Sequence, residues 1–425
     1  MNEYLSAISI LDGVINEGKH LDECFDADTS PLVQQICYGS IRHYYFYDAV
    51  IDQLVTKKLP DKHSDIRLIM LTGLYSFDHL HRPEYTSVNQ AVEAVNELEK
   101  SWAKGLVNAI LRRYGREKDA LTTKVMTSNE AAATHHPLWM MKLIRADWPD
   151  KPEIFDNNNQ QAPMTLRVNQ QKISRDAYLE TLANENIKAR AGSASPNAIV
   201  LGQPLPVTAL PGFAEGLVSV QDEAPQLAPY LMDLKPGLTV LDACAAPGGK
   251  TCHIMECSPE TDLTAIDWDK KRINRISENL SRLSLKATVV NQRVEEFETE
   301  TGFDRVLLDV PCSATGIIRR HPDIKILRTK SDIDKLAAIQ SELIDKAFDL
   351  LKEGGELLYS TCSILQREND GVISEFLKRR DCELVELPFI GETSSVTRTG
   401  FGLQYFPTQH DHDGFYYAAV RKTAA

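Results

Sequence analysis

A chain of 425 residues with 43% hydrophobic and 25% charged side chains has room for two or three domains, each with its own core. Its net charge of −13 argues against a general nucleic-acid coat protein, and no apolar run reaches the roughly 18 residues of a membrane span. The start, Met1-Asn-Glu-Tyr-Leu5, has no basic stretch followed by an apolar one, so no secretion signal is expected. Eight cysteines without paired spacing fit reduced thiols in the cytoplasm better than disulfides.

From Tyr4 to about Met126 the pattern predicts helices only. Leu5, Ile8, Leu11, Val14 and Ile15 recur at helical spacing with Gly18 as the stop. Leu32–Val55 and Ile66–Leu80 repeat it. Ser87-Val-Asn-Gln90 reads as a capping box opening Val88–Leu98, and the last clear helix is Lys104–Tyr114. A helical domain over residues 1–128 is expected. Lysines and arginines cluster in 104–118, 270–286 and 319–330, and each cluster is either a phosphate-binding face or ordinary solvated helix surface.

Over residues 129–218 the texture changes. His135-His136-Pro137 begins a helix running to Trp148, and Asn157-Asn-Asn-Gln-Gln-Ala-Pro163 breaks it. A strand (Met164–Asn169), a helix (Asp176–Glu185) and strands at Ile187–Ala191 and Ala198–Leu201 then make a small α/β piece. The paired histidines lack a third ligand at metal spacing, and His410-Asp-His-Asp413 reads as a polar turn, so no metal is expected.

Residues 219–425 alternate strand and helix. Strands are predicted at Thr239–Cys244, Leu263–Asp267, Ala287–Asn291, Arg305–Val310, Glu356–Thr361 and Phe415–Val420, with helices such as Arg272–Leu283, Asp332–Leu351 and Arg367–Arg379 between them. That order implies a parallel sheet covered on both faces, with its ligand beyond the strands' carboxyl ends. Asp242, Asp267 and Asp309 all fall at such ends.

Val240-Leu-Asp-Ala-Cys-Ala-Ala-Pro-Gly-Gly-Lys-Thr251 joins a buried strand to a helix through a tight turn of small residues. Its bare backbone N–H groups would face a ligand. The turn is not the G-x-G-x-x-G of dinucleotide enzymes. Asp267 follows by about 20 residues, the spacing of a ribose-binding acid. NAD, a nucleoside triphosphate and S-adenosylmethionine all suit that arrangement. Downstream, Asp309-Val-Pro-Cys312-Ser and Tyr359-Ser-Thr-Cys362-Ser363 place a cysteine after each of two strands. A lone strand cysteine is usually packing; two at carboxyl edges point to a nucleophile. Chemistry alone leaves open which of them attacks. Cys252, Cys257 and Cys382 read as structural, and so does the thiol of Cys244.

Cys244-Ala-Ala-Pro-Gly-Gly-Lys250, Asp309-x-Pro-Cys-Ser and Thr361-Cys-Ser363 resemble the S-adenosylmethionine-dependent cytosine-5 RNA methyltransferases, as does Ile317-Ile-Arg-Arg-His-Pro-Asp323. The first helices are similar to the NusB family, and the small α/β piece to the RNA-recognition-motif-like domain preceding this catalytic domain, though without its stacking aromatics. The order of all three resembles the bacterial enzymes acting on 16S ribosomal RNA. The resemblance implies a Rossmann-like methyltransferase domain (219–425) preceded by an all-α NusB-like domain (1–128) and a small α/β domain (129–218).

It further implies S-adenosylmethionine held by Cys244, Ala245, Ala246, Pro247, Gly248, Gly249 and Lys250, with Asp267 on the ribose and Asp309 beside the methionine end. Where the family has an acid for the adenine amino group, this chain has Asn291, whose amide oxygen still accepts. Cys362 becomes the nucleophile attacking carbon 6 of cytosine, Cys312 the helper in product release, and Asp309 the group facing ring nitrogen 3. His321 has a structural role. Lys104, Arg112, Arg113, Arg319 and Arg320 would meet RNA phosphates, and the target base would lie in a loop or be flipped out. A monomer without metal or membrane contact is expected. The rivals are an inactive RNA-binding assembly factor, an enzyme using the same cofactor on transfer RNA, DNA or protein, and an NAD-dependent dehydrogenase.

Overall fold

The structure, a computed structural model, describes residues 3–57, 59–392 and 395–423. It forms two compact units: residues 1–160 with 318–330, and residues 161–317 with 331–425.

The first unit is helical. Its helices include Glu3–Ile15, Pro31–Arg42, Tyr44–Leu54, Ser64–His79, Glu84–Glu97 and Lys104–Ser128. Ser30 starts the second by accepting from the Val33 N–H, with Pro31 in the first turn, where no N–H is needed. Tyr4, Leu11, Ile36, Val50, Ile69, Leu74, Val107 and Leu111 are buried at its centre. Gly39 is required there: a Cβ would stand 2.0 Å from the Tyr75 ring. Tyr47 and Tyr114 both donate to Asp78, at 2.8 and 2.6 Å, and Lys118 pairs with its other oxygen at 2.7 Å.

Two features depart from expectation. The compact helical unit runs on past residue 128 through Glu130–Thr134, Leu138–Asp147 and Glu153–Asn158. Ala132 packs in its core, and the His43 and His135 rings meet at 2.9 Å. The chain also returns to this unit for Ile318–Lys330. Arg42 donates to the Arg319 carbonyl (2.9 Å) and Tyr45 to the Lys325 carbonyl (3.0 Å). The Lys325 ammonium, 1% exposed, donates to the Arg42 carbonyl at 3.0 Å and to Asn159 at 2.5 Å.

The second unit holds two sheets. The small one comprises β1 (Thr165–Val168), β2 (Ala189–Ala191), β3 (Ala198–Leu201) and β4 (Val218–Val220), antiparallel in the order β2-β3-β1-β4. The helix Arg175–Asn184 covers it through Tyr178 and Leu182. The helices between 129 and 160, which precede this sheet, pack with the helical unit.

The large sheet contains β5 (Thr239–Ala243), β6 (Asp262–Asp267), β7 (Thr288–Asn291), β8 (Phe303–Asp309), β9 (Leu351–Thr361), β10 (Cys382–Val385), β11 (Val396–Arg398), β12 (Leu403–Tyr405) and β13 (Phe415–Lys422). Five strands, β7-β6-β5-β8-β9, run parallel as expected. β13 returns antiparallel beside β9 and pairs with β10 and β12, so the sheet is mixed. The runs forming β10, β11 and β12 are three or four residues long, too short to carry a periodic signal.

One buried arginine ties the two sheets of this unit together. Arg167 of β1 makes a two-pronged pair with Glu256, both bonds at 2.8 Å and the side chains 1% and 2% exposed. Its remaining nitrogen donates to the Gly249 carbonyl (2.7 Å) and to Gln221 (2.6 Å). Gln171 donates to the carbonyls of Met255 and Glu256 at the far end of the same helix, Gly249–Cys257. Arg167→Ala would strand the Glu256 charge and is expected to cost about 3–5 kcal/mol. Pairing Arg167→Met with Glu256→Leu should recover most of that loss, as measured by denaturant unfolding of the full chain.

Candidate active site

The carboxyl ends of all five parallel strands converge on one cavity. At the end of β5 the chain turns sharply, with Cys244 at φ 67° and Gly248 at φ 94°. Gly248 has a second reason to be glycine, since a Cβ would press to 3.0 Å on the Ile276 backbone. The helix Gly249–Cys257 starts immediately after it.

Three acids stand at this edge in different states. Asp242, 1% exposed, accepts from Thr251 at 2.6 Å, and its other oxygen has no partner. Burial pushes its carboxyl up to about 7. Asp267, 2% exposed, accepts from the Ala246 N–H at 3.1 Å and the Asp269 N–H at 3.0 Å, which pins the turn to β6. Asp309 accepts from the Lys250 ammonium at 2.6 Å and from the Ser360 hydroxyl at 2.9 Å.

The two cysteines meet. Cys312 Sγ and Cys362 Sγ lie 3.3 Å apart, at hydrogen-bond distance for sulfur. The bond to Cys362, followed by burial, holds the Cys312 thiol well above its ordinary range. The cavity of about 420 Å³ is lined by both cysteines, Asp309, Asp267, Cys244 and Ala246. Sites predicted from three separate stretches of sequence thus share one space. Ala245, Pro247, Gly248, Gly249 and Lys250 stand behind its wall: they shape the turn, and Lys250 orients Asp309.

At the Asp267 end the wall is made by Trp268, Gln292, Arg293, Val294 and Glu295, with Asn291 outside it. The Asn291 amide donates to the carbonyls of Asp267 (3.0 Å) and Trp268 (2.9 Å), so it braces the β6 turn. Its amide oxygen is not used in these two bonds, and the residues just beyond it line the cavity. Trp268 is 59% exposed, with the Arg293 guanidinium 5.1 Å over its ring.

The predicted phosphate contacts divide. Arg319 is 1% exposed, with its carbonyl held by Arg42, so its charge is packed inside the helical unit and does not face solvent. Lys325 is 1% exposed too, and burial pushes its ammonium well below the ordinary lysine range. Arg320 is half-buried. His321 pairs with Asp22 at 3.3 Å, in keeping with a structural role. Arg113 is engaged by Glu117 at 3.0 Å on its own helix; Lys104 is partly exposed and Arg112 exposed. Sequence reasoning missed Arg167 and Glu368, whose burial and partners have no local signature.

Residues 229–421 match the family described as 16S rRNA methyltransferase RsmB/F. Residues 136–208 match its ferredoxin-like domain, and residues 5–116 the NusB family. Among curated proteins, the ribosomal RNA small subunit methyltransferase B of Pseudomonas putida is 41% identical, covering 100% of this chain and 99% of its own. The chain belongs to the RsmB/F family. The probable ribosomal RNA small subunit methyltransferase B of Coxiella burnetii is 45% identical over 92% of each chain. A solved methyltransferase homologue from Pyrococcus horikoshii, 27% identical, covers 69% of this chain and 98% of its own with a TM-score of 0.61.

Members of the RsmB/F family are S-adenosylmethionine-dependent, and the cavity suits that cofactor. A buried carboxylate with lone pairs to spare (Asp267) adjoins an exposed aromatic face (Trp268) at one end, and an ion pair lies at the other. Those are partners for a ribose, an adenine and a charged amino-acid end.

Asp242 gives the fold a pH dependence. Above its ordinary value of 3.8 the unfolded carboxyl ionises, while the folded one keeps its proton to about 7. The unfolded chain then binds fewer protons, so this group lowers stability progressively between those values as pH rises. Asp242→Asn should remove that contribution, raising the unfolding midpoint relative to the native sequence more at pH 8 than at pH 4.5.

Proposed function

We propose that this chain transfers a methyl group from S-adenosylmethionine to carbon 5 of a cytosine in 16S ribosomal RNA, with Cys362 as the covalent nucleophile. The observation carrying this reading is the 3.3 Å approach of two thiols in the cavity that Asp267 and Asp309 also line. Carbon 5 of cytosine is too weak a nucleophile to be methylated directly. A Cys362 thiolate adding to carbon 6 breaks the aromaticity and makes carbon 5 enamine-like. Bound S-adenosylmethionine supplies the electrophilic methyl.

Asp309, coupled to Lys250 and Ser360, meets the charge developing at ring nitrogen 3. Cys312 stays protonated beside Cys362, which makes it the poorer nucleophile and leaves it an S–H within reach of the Cys362 sulfur. As the bond from carbon 6 to the Cys362 sulfur breaks, the Cys312 S–H gives its proton to that sulfur, and the Cys312 thiolate so formed takes the proton lost from carbon 5, restoring both thiols. Free cysteines throughout the described residues suit a reducing cytoplasm. Ribosomal RNA as partner, bound by a monomer, completes the reading.

Cys362→Ala is expected to abolish methylation of 16S RNA by tritiated cofactor, and Cys312→Ala to accumulate a covalent protein–RNA adduct on denaturing gels. Adducts that need Cys312 and survive loss of Cys362 would reverse the roles. Among the predicted RNA contacts, Lys104→Ala and Arg112→Ala should each weaken RNA binding and reduce its salt slope by about one. Arg319→Ala should lower the unfolding midpoint with no such change in slope.

A further inference from the structure

Behind the two cysteines lies a carboxylate that the reaction as described does not use. Glu368 is 0% exposed. One of its oxygens accepts from the Ser313 N–H (2.7 Å) and from Gln340 (3.0 Å). The other accepts from the hydroxyls of Ser313 (2.5 Å) and Ser363 (2.6 Å). Ser313 follows Cys312, and Ser363 follows Cys362. The two turns share little else that is so short: the serine hydroxyls stand 3.2 Å apart, Thr315 lies 3.1 Å from Ser363, and Gly316 donates to the Cys362 carbonyl at 2.9 Å. Gln340 also donates to the Pro311 carbonyl at 3.0 Å, so the segment before Cys312 is drawn into the same knot.

A carboxylate taken fully out of water is costly unless its lone pairs are filled. Here hydroxyls, one amide and one backbone N–H fill them. A neutral residue would satisfy a purely structural need more cheaply, which makes the charge itself informative. Glu368 is a negative group placed behind Cys312, and it adds to what keeps that thiol protonated.

We propose that Glu368 is a positioning residue for the methyl transfer: by bridging the residue after each cysteine it fixes the separation of the two thiols, and its charge reserves Cys312 as the proton-bearing partner of Cys362. This rests on the proposed roles of the two cysteines. Without the bridge, only the longer direct links between the turns remain, and a shift of an ångström or so is more than reacting groups tolerate. With a neutral bridge, the spacing is kept and only the charge is lost.

Full-length Glu368→Gln, Glu368→Asp and Glu368→Ala test this. The amide in Glu368→Gln can still accept from the Ser313 N–H and donate to the serine hydroxyls. In single-turnover methylation of 16S RNA, Glu368→Ala is expected to lose roughly 100-fold in rate, with the RNA KM changed less than about 2-fold. Glu368→Asp should recover part of that loss. Glu368→Gln should move the alkaline limb of the pH–rate profile to lower pH, and S-adenosylhomocysteine affinity by calorimetry should match the native chain in all three. A Glu368→Gln protein with native rate and pH profile would overturn the proposal. So would parallel loss of rate and S-adenosylhomocysteine binding in every variant, which marks a fold role alone. Methylation that survives Cys362→Ala overturns the underlying reading instead, so the two failures are distinguishable.

Discussion

The parallel pairing of β8 with β9 is the constraint on which the catalytic half depends. Its register sets Leu308 opposite Tyr359 and Asp309 opposite Ser360, and the Val310 N–H continues it onto the Ser360 carbonyl at 3.1 Å. Parallel strands in register deliver their last residues to one edge, so the turns that follow must meet there. Cys312 comes three residues after Asp309, and Cys362 two after Ser360. A slip of one residue would turn Asp309 to the opposite face of the sheet and separate it from both Ser360 and Lys250. The core below the edge resists such a slip: Val306, Leu308, Leu357 and Tyr359 are all buried in one cluster.

What the sequence made legible follows from the range of the interactions involved. The parallel strands announced themselves as apolar runs, and the glycine turn, Asp-x-Pro-Cys and Thr-Cys-Ser are contiguous. The alternation rule placed Asp242, Asp267, Asp309 and both cysteines at strand ends, where they stand. Arg167 and Glu368 were invisible for the opposite reason. A charged residue in a strand or just before a helix is ordinarily solvent-facing, and only tertiary partners 89 residues away for Arg167, and 55 for Glu368 with Ser313, make it buried. The basic segment after Cys312 misled in the same way. Arg319 read as a phosphate contact, yet its side chain is packed inside the helical unit, where Lys325 also donates to a carbonyl and an amide.

That return passage changes the meaning of the domain order. The helical unit includes a stretch of chain beginning six residues after Cys312, so it is not an appendage on an independent catalytic domain. Residues 318–330 depend for their order on Leu21, Arg42, Tyr45 and Asn159. In the second unit, likewise, the small sheet is fastened through Arg167 to the carbonyl of Gly249 in the cofactor turn. Its role here is better described by that anchorage than by the missing stacking aromatics.

Three carboxyl groups crowd the catalytic edge of an acidic protein, and like charges so placed cannot all be met the same way. Asp242 is relieved by keeping its proton, Asp267 by two backbone N–H groups, and Asp309 by an ammonium. The division matters for the proposed chemistry. A lone buried carboxyl facing ring nitrogen 3 would have to hold a proton at rest. Asp309 is instead the cavity-facing half of an ion pair whose more buried half, Lys250, lies 4.8 Å from the Phe415 ring. The demand for a proton as the Cys362–carbon 6 bond forms therefore falls on the pair. Under the proposed reaction, Lys250 would act on the base through the aspartate, linking the shape of the glycine turn to the step proposed for cytosine.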